Sequence, residues 1–124
     1  MGDAEYHLDN YVAAEAHYKK VIDLEPDNQD IWLEYSHLLM ADSRADEALE
    51  LIKKGMIFLP ESADLIYRLA CYYYSIGNIQ ESYSTLATAL DKNVQLCHTV
   101  FEYSPAMEND RHILEIIDLY KNRI

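Results

Sequence analysis

Apolar side chains recur along this chain at intervals of three and four, the spacing of one helix face. Ile31, Trp32, Tyr35, Leu38 and Leu39 form one such set, and Leu65, Ile66, Leu69, Tyr72 and Tyr73 form another. Each is followed by a second set: Ala45, Ala48, Leu49, Leu51 and Ile52, then Ile79, Ser82, Tyr83 and Leu86. Short polar breaks, Ala41-Asp42-Ser43-Arg44 and Ser75-Ile76-Gly77-Asn78, separate the two sets of each pair. Gly77 suits the left-handed conformation that ends a helix, and Ser43 and Asn78 are expected to cap the helices that follow. Pro26-Asp27-Asn28 and Pro60-Glu61-Ser62 stop one helix and start the next. The pattern predicts helix–turn–helix units.

These units repeat. Pro26 and Pro60 lie 34 residues apart, and the same step aligns Ala14, Ala48 and Ser82 as small residues. Tyr18, Ile52 and Leu86 align as large ones, and Val21, Gly55 and Ala89 as compact ones. Trp32, Ile66 and Val100 match, as do Tyr35, Leu69 and Tyr103. Columns that keep size and polarity over up to three steps are the signature of a stacked repeat, in which each unit buries its apolar face against its neighbours.

The pattern resembles the tetratricopeptide family, whose repeat carries an aromatic, a leucine–glycine pair, a tyrosine, an alanine, a second aromatic and a closing proline. In the best unit these places hold Trp32, Tyr35-Ser36, Leu39, Ala48, Ile52 and Pro60. The next unit holds Ile66, Leu69-Ala70, Tyr73, Ser82 and Leu86, with Val94 in place of the proline, and the first holds Met1-Gly2, Glu5, Ala14, Tyr18 and Pro26. The resemblance runs from residue 1 to about 96. It implies an all-α fold, a right-handed superhelix of antiparallel helix pairs. The expected organisation is a single domain with a truncated unit at about 1–28, units at 29–62 and 63–96, and a degenerate fourth unit with a capping helix at 97–124. Met1-Gly2 at the leucine–glycine place suggests that the first unit starts midway through its first helix, as in a piece of a longer array.

Beyond Asn93, Val100, Phe101 and Tyr103 take first-helix places before Ser104-Pro105 interrupts. Ser104 is expected to cap a short turn through Met107. A last helix follows from near Asn109 to Arg123, with Asp110 and Glu115 near its start and Lys121 and Arg123 near its end, as the helix dipole favours. Its stripe is Ile113, Ile116, Ile117, Tyr120 and Ile124. Leu114 and Leu119 lie off it, which suits a plain cap or packing on a further element or second copy.

Charge narrows the partners. With 22 acidic and 10 basic side chains the net charge is −12, a field that repels nucleic acid and anionic membrane. A neutral or basic protein partner is expected, although acidity also simply serves solubility. No apolar run approaches the ~20 residues of a membrane span. Met1 to Glu5 does not read as a signal peptide, and Cys71 and Cys97, without CxxC spacing, read as reduced buried thiols. A cytoplasmic location is expected.

In members of the family, the first helices line a concave groove that takes a peptide. The 34-residue step places Leu33, His37, Met40, Asp64, Tyr67, Arg68, Cys71, Tyr74 and Phe101 there, with Asp30, Glu34, His98 and Glu102 beside them and Asp3, Tyr6 and His7 at the near end. Rings offer contact area at low entropic cost, and the carboxylates suit a lysine or arginine; the plainer alternative is that Tyr67, Tyr74 and Phe101 support each other or the terminal helix. The Lys–Asn–Arg clamp with which some members hold chaperone tails is not matched: those places hold Asp3, Glu34, Asp64 and Arg68, and only Arg68 fits.

No catalytic motif, phosphate loop or zinc motif occurs. Adjacent Cys97 and His98 point about 100° apart, poor for two ligands of one metal, and although a site of Cys71, His37 and His98 is geometrically conceivable because all three map to first helices, neither metal nor cofactor is expected. The function expected is a non-enzymatic protein-interaction module, an adaptor or scaffold, with self-assembly through the groove or terminal helix as the alternative.

Overall fold

A computed structural model describes residues 2–122, with side chains from Tyr11 onward. Helices α1 (Gly2–Leu24), α2 (Gln29–Ala41), α3 (Ala45–Phe58), α4 (Ala63–Ser75), α5 (Ile79–Lys92), α6 (Thr99–Tyr103) and α7 (Arg111–Lys121) follow one another, with 3-10 turns at Val94–Leu96 and Pro105–Asn109. No strand occurs among the described residues. The chain gathers into two units, Met1–Leu59 and Pro60–Ile124.

The repeat read from side chains recurs in the backbone. At the close of α2, the N–H groups of Asp42, Ser43 and Arg44 donate to the carbonyls of Leu38, Met40 and Leu39. At the close of α4, those of Ile76, Gly77 and Asn78 donate to Tyr72, Tyr74 and Tyr73, each one 34 residues further on. The last two bonds of each set are the six-to-one and five-to-two pair of a Schellman motif. It requires a left-handed residue, and Gly77 (φ 83°) and Ser43 (φ 61°) supply it. Ser43 is therefore not the cap expected of it: Arg44 stands at the N-cap of α3 and Asn78 at that of α5, neither with a side-chain cap bond. A third recurrence closes the second helices, where Glu25, Leu59 and Asn93 donate to Val21, Gly55 and Ala89 at 2.7, 2.8 and 2.9 Å.

Unit 1 packs around Trp32, which is fully buried. Its indole N–H donates to the Pro26 carbonyl at 2.8 Å, and its ring stacks on Phe58 with centroids 5.7 Å apart. Gly55 faces the same ring so closely that a Cβ there would lie 2.8 Å from an indole carbon. Tyr35, Leu39, Ala48 and Ile52 complete this core. α1 runs unbroken from Gly2 to Leu24, so the first unit is one continuous helix rather than the end of one helix followed by another.

Unit 2 centres on α4, whose sequence Leu65 to Tyr73 is apolar but for Arg68. A helix apolar on all sides must be covered on all sides. α5 packs along one face and α6 along another, leaving Leu65, Ile66, Tyr67, Leu69, Ala70, Cys71, Tyr72 and Tyr73 buried. The buried Ser82 hydroxyl donates to the Ala70 carbonyl at 2.8 Å, so this member of the small-residue column is both buried and hydrogen-bonded. The final helix begins at Arg111 rather than Asn109, with Asp110 outside it as the N-cap. Ile113 and Ile117 are buried, Ile116 and Tyr120 half-buried; Arg123 and Ile124 lie outside the described residues. Ser104 stands before Pro105 as expected, without a side-chain cap bond, and Met107 is fully buried.

Candidate binding faces

The face proposed by the repeat step can be followed in each unit. On α4 it carries Tyr67, Cys71 and Tyr74, and the chain itself occupies it. The Tyr67 hydroxyl donates to the Asn93 carbonyl at 2.6 Å, and the Cys71 thiol points at the Val100 carbonyl at 3.9 Å. The Tyr74 hydroxyl donates to Asp110 at 2.9 Å. Tyr67 and Cys71 are 1% exposed. They are core residues of unit 2, not residues open to a ligand, because the segment from Asn93 to Asp110 folds over them. Burial pushes the Cys71 thiol up to about 12, so it stays a neutral thiol at pH 7.

On this face Asp64, Arg68, Tyr74 and Phe101 are half-buried. Arg68 lies over the Tyr103 ring, 4.2 Å from its centroid, with Nη1 3.4 Å from the Tyr72 hydroxyl; the ring face attracts the guanidinium. Asp64, Tyr74 and Phe101 are partly accessible, while His98 and Glu102 are exposed.

Asp110 ties the end of the chain to this unit. One carboxylate oxygen accepts the Tyr74 and Tyr83 hydroxyls, both at 2.9 Å. The other accepts the His112 and Ile113 backbone N–H groups at 2.9 and 3.3 Å, capping α7. Desolvation raises the carboxyl's pKa, but hydrogen bonds from Tyr83, Tyr74 and the two amides outweigh it and the net shift is downward. The Tyr83 ring also meets the His112 ring, with centroids 4.4 Å apart.

On α2 the matching places hold Leu33, His37 and Met40. His37 is exposed and the other two are half-buried, with Asp30 and Glu34 exposed beside them. The helix carries no lysine or arginine. Asp3, Tyr6 and His7, expected at the near end, lie outside the residues whose side chains are described.

Elsewhere in unit 1, Arg44 reaches Glu15 with both Nη atoms at 2.9 Å and Glu47 through Nε, a bidentate geometry that fixes orientation. The Tyr35 hydroxyl donates to the same Glu15 carboxylate at 2.6 Å. Arg44 above all holds the Glu15 carboxyl at about 2, and burial together with Glu15 pushes the Tyr35 phenol upward. This network escaped sequence reading, since Glu15 and Arg44 lie 29 residues apart with no motif joining them. Next to it a hollow of about 620 Å³ opens over Tyr35, Leu39, Leu51 and Ile57, rimmed by charged residues of α3.

Among the described residues, no three metal-ligating side chains converge and no helix is long and apolar enough to cross a membrane. The profile described as "Tetratricopeptide repeat" matches residues 6–58. Among solved structures, the crystal structure of MamA superimposes with a TM-score of 0.58 at 22% identity, over 94% of this chain and 74% of that one; at that identity the likeness concerns the fold. No curated protein matches. The matched profile, the all-helical fold and the backbone recurrences at the 34-residue step agree: residues 6–58 match the tetratricopeptide repeat family, whose repeats are typically non-catalytic protein-interaction modules, and the all-helical fold is of the same kind.

Proposed function

We propose that the chain is an adaptor that seats a segment of another protein on the face of α2 bearing Leu33, His37 and Met40. One observation carries the reading. The residues one step further on, Tyr67, Cys71 and Tyr74, already receive a chain segment, meeting the carbonyls of Asn93 and Val100 and the Asp110 carboxylate. That face is thus built to hold polypeptide, and on α4 its occupant is the protein's own. On α2 the places are aliphatic, imidazole and thioether, flanked by Asp30 and Glu34. Such a surface favours a segment with an apolar anchor and a lysine or arginine beside it. The binding residues in this reading are Leu33, His37 and Met40; Arg68 and Tyr74 serve the internal contact together with Tyr67 and Cys71, and Asp64 and Phe101 are half-buried in the same unit. Two free buried thiols, Cys71 and Cys97, suit a reducing compartment.

A displayed random-peptide library tests this directly. Selected peptides should carry an apolar residue next to a basic one, and the Leu33→Ser/Met40→Ser double variant should lose at least roughly tenfold in affinity for them. Peptides that bind the double variant as well as the parent would remove α2 as the binding face.

A further inference from the structure

The outer face of α3 has an organisation that peptide binding on α2 does not use. From its start to its end this face carries Asp46, Glu47 and Glu50, then Lys53 and Lys54, then Ile57. The acids occupy the first half and the lysines the second. Ile57 is 78% exposed at one end, where it forms part of the wall of the hollow that opens over Tyr35, Leu39 and Leu51 on the same face. The helix dipole favours acids first and bases last, but it does not account for a bare isoleucine beside an apolar hollow.

A face with an apolar knob, an apolar hollow and opposite charges at opposite ends is complementary to itself when turned end for end. That is the requirement of a two-fold interface, in which each residue meets its counterpart's partner on the other copy. We infer that α3 pairs antiparallel with α3 of a second copy of this chain. With the two-fold axis passing near Ile52, Glu50 of each copy faces Lys54 of the other, and Ile57 of each reaches the Glu47–Leu51 stretch that borders the other's hollow. The net charge favours this face as well. At −12 per chain, two copies repel over most of their surfaces. Here three carboxylates are nearly balanced by two of the ten basic residues, so close approach meets little net repulsion. A pairing of one helix with its copy buries less than a standard interface and makes a weak dimer.

Sedimentation equilibrium of the chain at pH 7 and 0.15 M salt, from micromolar to millimolar protein, tests the inference. A monomer–dimer equilibrium is expected. Ile57→Asp should weaken it at least roughly tenfold, because a carboxylate would enter an apolar hollow. Glu50→Lys and Lys54→Glu should each weaken it, and the double exchange Glu50→Lys/Lys54→Glu should restore it, since the facing pairs are then reversed rather than broken. Circular dichroism of each variant separates lost pairing from lost folding. A chain monomeric throughout, a dimer indifferent to Ile57→Asp, or a double exchange no better than its folded single variants would overturn the inference and leave the hollow to a different occupant.

Discussion

Ser43 holds a backbone conformation that serine adopts at a cost. Its φ of 61° repeats the 83° of Gly77, and the two turns share their hydrogen-bond scheme. A side chain in the left-handed region is disfavoured by roughly 1–2 kcal/mol, while glycine is disfavoured by its larger unfolded-state entropy. The first effect is the larger, so Ser43→Gly should raise stability by on the order of 0.5–1 kcal/mol. Gly77→Ala should lower it by about 1–2 kcal/mol through strain alone, for an added Cβ there meets nothing within 4 Å. Urea midpoints moving in these opposite directions at constant slope are the expected result; a Ser43→Gly midpoint at or below the parent's would contradict the strain. Gly55 is the contrasting case. Its compact column was legible at the repeat step, but its reason, the indole of Trp32 at 2.8 Å from a notional Cβ, emerges only from packing.

At the scale of the element, α7 depends on a residue outside it. Asp110 both starts the helix and binds it to Tyr74 and Tyr83. Asp110→Ala removes a cap contributing typically ~1 kcal/mol and leaves two phenols short of an acceptor. A loss of about 1–3 kcal/mol is expected, with faster amide exchange in α7, and Asp110→Asn should fall between. Exchange in α7 unchanged by Asp110→Ala would show that its apolar stripe alone holds it. The helices themselves were legible because their signals are local: three-and-four spacing, Pro26 and Pro60, Gly77. Which helix face stays open is not a local matter. The same register that marks Leu33, His37 and Met40 marks Tyr67, Cys71 and Tyr74, and only the return of the chain from Asn93 to Asp110 separates an occupied face from an accessible one.

For the whole molecule, acid sets two effects against each other. The chain carries 12 more carboxylates than basic groups, so lowering the pH towards the isoelectric point near 4.6 first relieves self-repulsion. Below that, groups held low by their native partners must be protonated. Glu15 falls from 4.5 to about 2 on folding, chiefly through Arg44, and Glu47 and Asp110 shift downward as well. A depressed native pKa contributes stability that is complete above the unfolded value and disappears as the pH falls through the folded one. The melting temperature should therefore hold or rise slightly from pH 7 to about 5 and drop between about 4.5 and 2. A melting temperature constant across that lower window would mean that the Glu15–Arg44–Tyr35 network adds nothing to folding.

The position of Trp32 decides how such melts can be watched. It is the chain's single tryptophan, and it sits sealed inside unit 1 against Phe58 and Gly55. Indole emission is thus a spectroscopic label for one half of the protein, provided free of charge by the sequence. A change in that fluorescence therefore reports on the surroundings of Trp32 in unit 1, and near-ultraviolet dichroism from tyrosines such as Tyr67, Tyr72 and Tyr73 reports on the core of unit 2.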